Sequence, residues 1–448
     1  MSNRPCLWDE HRPGVLLSAN QWLVIALGAG ALFGIIAGWA TWQLPLGAYP
    51  AWLLLAAPVT GVVILLIGLV KYDLLVLLTF STVGFVWFEP APFDLLLVVV
   101  LVLGLLTGRL RWPSSKTGAL VHIGLWGLVV TNVLSAAVLV PAQPNLLFLA
   151  ITLYVLALFC FVRMYVIDRD TARTVLTGYL VSTVANVVVT FLGLSGFNIP
   201  LPVVRFSIRG AGFFEDPNVY GPFVLVAALW VADQIVQRSF SFARTGPMML
   251  LTGLLGAGAM LSLSRAVWIN LGFSGLLYLA LLLRRASRDD VVRFSVLAGV
   301  VLLVAILALN SWGLGEVMSR RWTFYGYDEA RFSIQRRGIV AAFTHPIGVG
   351  PGGWPNTHSL YVRTLAEHGV LGLASLVLLI GGLMLPLVRR AWQGGAAKGI
   401  LPDRLLVATI AGQLVNSVVI DSIHWRHLWI LLGLAWSALE TSVGQEDR

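Results

Sequence analysis

Apolar runs long enough to cross roughly 30 Å of hydrocarbon as helix recur along this chain with only short polar breaks between them. They read Gln21–Trp42, Ala51–Val70, Val121–Val140, Leu146–Val162, Val175–Leu194, Val219–Val236, Met248–Leu263, Val267–Leu283, Phe294–Ser311, Leu360–Val388 and Leu405–Ile420. Three shorter candidates, Leu74–Phe88, Phe93–Gly108 and Trp429–Leu439, bring the count to about 12 to 14. Hydrocarbon offers the backbone no hydrogen-bond partners, so a spanning segment must satisfy its own amides, and runs of this length do so as helices. The expected class is therefore all-α: a single transmembrane domain, 1–448, of a polytopic membrane protein. With 58% hydrophobic residues against 11% charged, the composition excludes an ordinary soluble domain.

Basic residues orient the spans. With the N-terminus placed inside, all three lysines and most arginines fall on cytoplasmic loops, as the positive-inside bias requires, and both termini are expected there. The remaining ten basic residues are all Arg: Arg205, Arg209, Arg265, Arg320, Arg321, Arg331, Arg336, Arg337, Arg363 and Arg426. They cluster on one long outer loop, 312–357, and on two short outer segments. Guanidinium forks match phosphate and carboxylate oxygens and stay charged, so the clusters predict an anionic ligand outside the cytoplasm. Pairing with Glu215, Asp216, Asp328 or Glu329, or contact with lipid phosphates, is the structural alternative.

Three segments carry the outer chemistry. In RGAGFFEDPNVYGP, Arg209 to Pro222, Asp216 and Pro217 form a good N-cap and first helical residue, opening a helix beside Arg205 and Arg209, a recurrent phosphate-binding arrangement. In SLSRAVW, Arg265 is flanked by membrane-spanning sequence and must snorkel to headgroups or face a polar cavity. In the long loop, Asp328–Phe343 reads as an amphipathic helix on the membrane surface, followed by the Gly/Pro-rich HPIGVGPGGWPNTHSLY. A long span is expected to begin near His358, with His358 and Tyr361 on one face and Arg363 and Glu367 spaced i,i+4. His358 is the best-placed proton acceptor, since imidazole titrates near neutrality, with His345 and His368 competing. Asp421 adds a carboxylate at the same level that either serves chemistry or pairs an Arg. Asp233 reads as a boundary residue at an inner helix end.

Other classes are excluded on simple grounds. The basic balance, net +9, lies mostly on loops facing anionic headgroups and carries no basic-aromatic nucleic-acid motif. Cys6 and Cys160 are the only cysteines, too few for a disulfide framework or a metal cluster, and no cofactor is expected. The first apolar run reads as an uncleaved signal anchor.

RGAGFFEDPNVYG, SLSR, the RRGIVAAFTHPIGVGPGG run and HSLYVRTLAEHGVLG, in that order over Arg205 to Gly372, resemble the O-antigen ligase and polymerase superfamily of bacterial membrane glycosyltransferases. The resemblance implies transfer of a glycan from an undecaprenyl-diphosphate carrier to an acceptor hydroxyl at the periplasmic face of the inner membrane, without a metal. It implies that Arg209, Arg265 and Arg337, with Arg336 beside it and Arg205 nearby, hold the diphosphate, and that His358 is the catalytic or acceptor-orienting residue. Glu215, Asp216, Asn218, Tyr361, Glu367 and Asp421 are supporting candidates. The acceptor is lipid A-core for a ligase or a carrier-linked glycan for a polymerase; the basic loop favours the ligase. A transporter or flippase of an anionic lipid is the reading from another class. It predicts charges near the bilayer midplane and matching halves, and the early spans show neither.

Overall fold

The computed structural model describes residues 61, 63–86, 90–112, 118–138, 143–197, 209–237, 242–284, 287–323, 326–393 and 399–446. The first apolar run, most of the second, Cys6 and Arg205 lie outside the described residues. In chain order the helices are α1 (Tyr72–Phe80), α2 (Pro92–Leu106), α3 (Ala119–Val138), α4 (Gln143–Tyr165), α5 (Arg169–Leu194), α6 (Pro217–Gln237) and α7 (Phe242–Met260). They continue as α8 (Arg265–Leu283), α9 (Arg288–Ser311), α10 (Gly315–Arg320), α11 (Gly326–Thr344), α12 (Leu360–Gln393), α13 (Asp403–Asn416) and α14 (Arg426–Glu446). Every regular element among the described residues is helical, and α3, α4, α5, α6, α8, α9 and α12 are long and apolar enough to cross a membrane.

Burial sorts these helices into layers. In α6 every side chain from Tyr220 to Leu229 is buried, and in α14 every one from His427 to Leu439. A helix that is apolar all round belongs inside the bundle. In contrast, α9 leaves Leu302, Leu303, Ile306 and Leu307 exposed, the surface expected of a helix facing lipid.

Two readings change. The run Leu74–Phe88 is not one helix: α1 ends at Phe80 and the chain turns at Ser81–Gly84, where the Gly84 N–H donates to Ser182 Oγ of α5 at 2.8 Å. The helix after the long loop begins at Leu360 and is kinked at Gly369 (φ 68°, ψ −170°), so His358 precedes it and shares no helical face with Tyr361.

Ion pairs hold the bundle at the end away from the motifs. Asp233 of α6 is buried, accepts from Tyr278 Oη at 2.7 Å and pairs with Arg404 at 3.2 Å, while Arg390 meets Asp403 at 2.5 Å. Asp233 is thus an interior anchor joining α6, α8 and α13, and not merely a boundary residue.

Candidate active site

All three motif segments meet at the other end of the bundle. The RGAGFF loop is pinned from two sides: Asn186 Oδ1 of α5 accepts from Phe213 N at 2.8 Å, and Gly210 N donates to Leu261 O in the SLSR turn at 2.8 Å. Gly212 sits at φ 56°, and a Cβ there would meet Asn186 Oδ1, so the close approach requires glycine. This docking delivers Arg209, whose Nε donates to Ser262 O at 2.9 Å and whose Nη2 donates to Asn218 Oδ1 at 3.0 Å. Asn218 is held in turn by Asp216 Oδ1, which accepts from its backbone and side-chain nitrogens at 2.8 Å each.

The Gly/Pro-rich loop docks largely through its backbone. The kink at Gly369 interrupts the helical ladder and releases the Ala366 and Glu367 carbonyls, which accept from Val349 N and Gly350 N at 2.9 Å each. The loop approaches so closely that a Cβ on Gly369 would collide with the Pro346 carbonyl. Just beyond, His358 adopts φ 50°, a left-handed conformation that a non-glycine residue holds at a cost of about 1–3 kcal/mol. Leu263 of the SLSR turn, at φ 48°, is the other non-glycine residue with positive φ among those described. Both strained positions lie in the motifs.

Between these segments is a cavity of about 280 Å³ lined by four arginines, Arg209, Arg265, Arg321 and Arg331, and one carboxylate, Asp328. Leu263, Ser264 and Ala266 also line it, so the N-terminal end of α8 forms part of the cavity wall, and the Ser264 side chain makes no capping bond there. The N-terminus of α6 opens at Pro217 as its sequence predicts, but Asp216 already satisfies the amide of Asn218 there. Arg265 pairs with Asp328 of α11 at 2.5 Å, which ties the loop helix to the body.

On α11, Asp328, Arg331, Phe332 and Gln335 face the cavity, the i, i+3, i+4, i+7 set of one helical face. Arg336 and Arg337 are exposed and do not line it; they share the outer surface with Ile339, Val340 and Phe343. Arg331 is the arginine that α11 contributes to the cavity. The signal that finds it is the helical phase counted from Asp328.

His358 adjoins the cavity through Gln335, whose Nε2 donates to the His358 carbonyl at 3.3 Å. Burial and then the Arg331 cation push its imidazole below the usual histidine value, against opposing pulls from Asp216 and Asp421. The ring is therefore neutral near pH 7 and able to accept a proton. Other candidates are engaged structurally. Arg363 pairs with Glu367 at 3.0 Å and with Asp421, and lies over the Phe148 ring at 4.9 Å; Tyr361 Oη donates to Leu414 O at 3.0 Å. Among the described residues no group of three or more His, Cys, Asp or Glu side chains is arranged to hold a metal ion.

A second, apolar cleft of about 630 Å³ lies beside it. Ile269 and Trp322 line both spaces, and from them the cleft runs down α8 past Gly272, Gly275 and Leu279 toward Phe294 and Leu297 of α9. From Ile269 to Leu279 the helix rises about 15 Å, half the thickness of a hydrocarbon core.

Fold and cavities together define a polytopic helical membrane protein with a cationic site at one end of its bundle. Residues 250–377 match the family model described as O-antigen ligase, and over these residues the chain is similar to that superfamily. The matched segment includes the SLSR turn, α11, the Gly/Pro-rich loop and His358, and it implies a membrane glycosyltransferase-type enzyme. No curated protein matches the chain.

Proposed function

We propose that this protein is a glycosyltransferase that moves a glycan from an undecaprenyl-diphosphate carrier to an acceptor hydroxyl at the periplasmic face of the bacterial inner membrane, with both termini cytoplasmic. The observation that carries the reading is the adjacency at Ile269 and Trp322, residues that line both a four-arginine cavity and an apolar cleft. A ligand that fits both has a multiply charged head and a long hydrocarbon tail, which is the chemistry of a polyprenyl diphosphate.

The reaction uses the chain's own groups. The acceptor hydroxyl gives its proton to the neutral imidazole of His358 while its oxygen forms a bond to the anomeric carbon. The bond from that carbon to the diphosphate oxygen breaks, and the electron pair leaves with the diphosphate. Arg209, Arg265, Arg321 and Arg331 hold the charge that grows there. Arg336 and Arg337, on the outer surface of α11, are placed to meet headgroup phosphates.

The acceptor is lipid A-core in the ligase reading, which the basic residues of the 312–357 segment favour; the polymerase reading differs only in using a carrier-linked glycan as acceptor. Purified protein in lipid, given an undecaprenyl-diphosphate oligosaccharide with and without lipid A-core, separates the cases. Single-step transfer to lipid A-core supports the ligase, and a ladder of longer carrier-linked glycans supports the polymerase. Intact carrier binding with no transfer to either acceptor counts against both.

A further inference from the structure

A second polar cavity, of about 260 Å³, lies on the far side of the Asp216–Asn218 contact. Asn218 lines the arginine-rich cavity, whereas Asp216 lines this one, so one hydrogen bond of 2.8 Å forms part of the wall between them. Its charge is the reverse of its neighbour's. Glu215 and Asp216 present exposed carboxylates, and its single guanidinium, Arg426, is already engaged by Asp94 at 2.7 Å. An anion is disfavoured there, whereas hydroxyl groups that donate to carboxylates are favoured.

Two further features point to a ligand. His427 is 2% exposed and lines the cavity, and its Nε2 finds no hydrogen-bond partner among the described residues. A buried polar atom without a partner costs about 1–3 kcal/mol, which a ligand group reaching it on binding would recover. Beside it the Trp425 ring packs on the His427 ring at 5.0 Å, giving the cavity an aromatic wall of the kind against which the C–H face of a sugar ring packs. His424, also in the lining, is held by Thr152 Oγ1 at 3.1 Å, and burial pushes its imidazole down to about 4, so it adds no positive charge near neutrality. The space far exceeds the ~30 Å³ share of one water.

We propose that this cavity, with Glu215, Asp216, His424, Trp425, Arg426 and His427, is a binding site for uncharged sugar rings of the acceptor glycan. The inference rests on the transferase reading and deepens it: phosphate is recognised on one side of Asn218 and carbohydrate hydroxyls on the other.

The test is ligand-observed saturation-transfer NMR on the full chain in nanodiscs. The probes are two neutral trisaccharides, of β-linked glucose and of N-acetylglucosamine, and separately farnesyl diphosphate as a stand-in for the donor. Trisaccharide binding should weaken about tenfold in Glu215→Gln and in His427→Phe, the loss of one hydrogen bond to a polar or charged group, while farnesyl diphosphate binding is retained. Arg331→Ala should show the opposite pattern. Thermal melting identifies a variant that fails to fold, and the other variant then decides. Trisaccharide binding that is unchanged in the folded variants, or absent while farnesyl diphosphate binds, overturns the sugar site and leaves the transferase reading standing. Failure of farnesyl diphosphate to bind the wild-type protein overturns the transferase reading, and the sugar site with it.

Discussion

Arg265, the first residue of α8, meets Asp328 of the loop helix α11 at 2.5 Å, with the aspartate side chain 7% exposed and the arginine 21%. The pair links a helix within the bundle to a helix outside it and sets which face of α11 closes the cavity. Asp328→Ala should therefore release α11 as well as unbalance the cavity charge. Removing one partner of a largely buried pair costs about 3–5 kcal/mol at full burial and less here, where the arginine is partly hydrated. Faster amide exchange across 326–344 with unchanged exchange in α6 is the expected signature; protection equal to wild type would sever this link.

Arg331 and Arg337 lie six positions apart on one helix and face different surroundings. Arg331→Ala should reduce glycan transfer by about 10²–10³, the usual loss when one donor to a developing anion is removed, and Arg337→Ala should change it only a few-fold. The reverse ranking would rotate α11 relative to the cavity.

For pH dependence the sign follows from the environment of His358. Its imidazole lies below the ordinary value of about 6.5, so the competent neutral form persists as pH falls through 6.5 and is lost only at lower pH. Arg331→Ala removes a cation that opposes protonation, so the acid limb of its residual activity should move up. Asp216→Asn removes an anion that favours protonation, so its limb should move down. Limbs that do not move in these opposite directions would remove His358 from the rate.

His358→Gln should lower turnover by about 10²–10⁴, the range assigned to general base catalysis, with carrier binding intact. Single-turnover assays alongside carrier binding distinguish this from a folding defect. Loss of both together would make the residue structural.

Gly369→Ala tests the docking of the Gly/Pro-rich loop. At φ 68°, with a Cβ directed into the Pro346 carbonyl, the substitution should destabilise by more than about 1 kcal/mol and displace Val349 and Gly350 from the Ala366 and Glu367 carbonyls. Wild-type melting of this variant would show that the kink is not needed.

Much of this was legible along the chain. Pro217 after Asp216 marked the start of α6, the spacing of Arg363 and Glu367 anticipated their 3.0 Å pair, and Asp421 was recognised as a carboxylate able to pair an Arg. Other features were not. Arg331, Arg336 and Arg337 are equivalent as residue types, and only the docking of α11 through Asp328 distinguishes them. The Leu74–Phe88 run looked continuous because hydropathy does not register the Gly84 amide bonded to Ser182, a residue 98 positions away.

By itself the sequence determined that the chain is helical and membrane-embedded, because transfer of apolar side chains and satisfaction of backbone amides are properties of each segment alone. It also led to the expectation, through the alternation of spans, that arginine-bearing motifs gather on one side of the bundle. The tertiary structure decided which arginines share a cavity, that an apolar cleft shares Ile269 and Trp322 with it, and that His358 lies before its helix in a left-handed turn. Those outcomes depend on helix rotation, on a kink at Gly369 that frees two carbonyls, and on contacts between residues far apart in the chain, none of which a local pattern encodes.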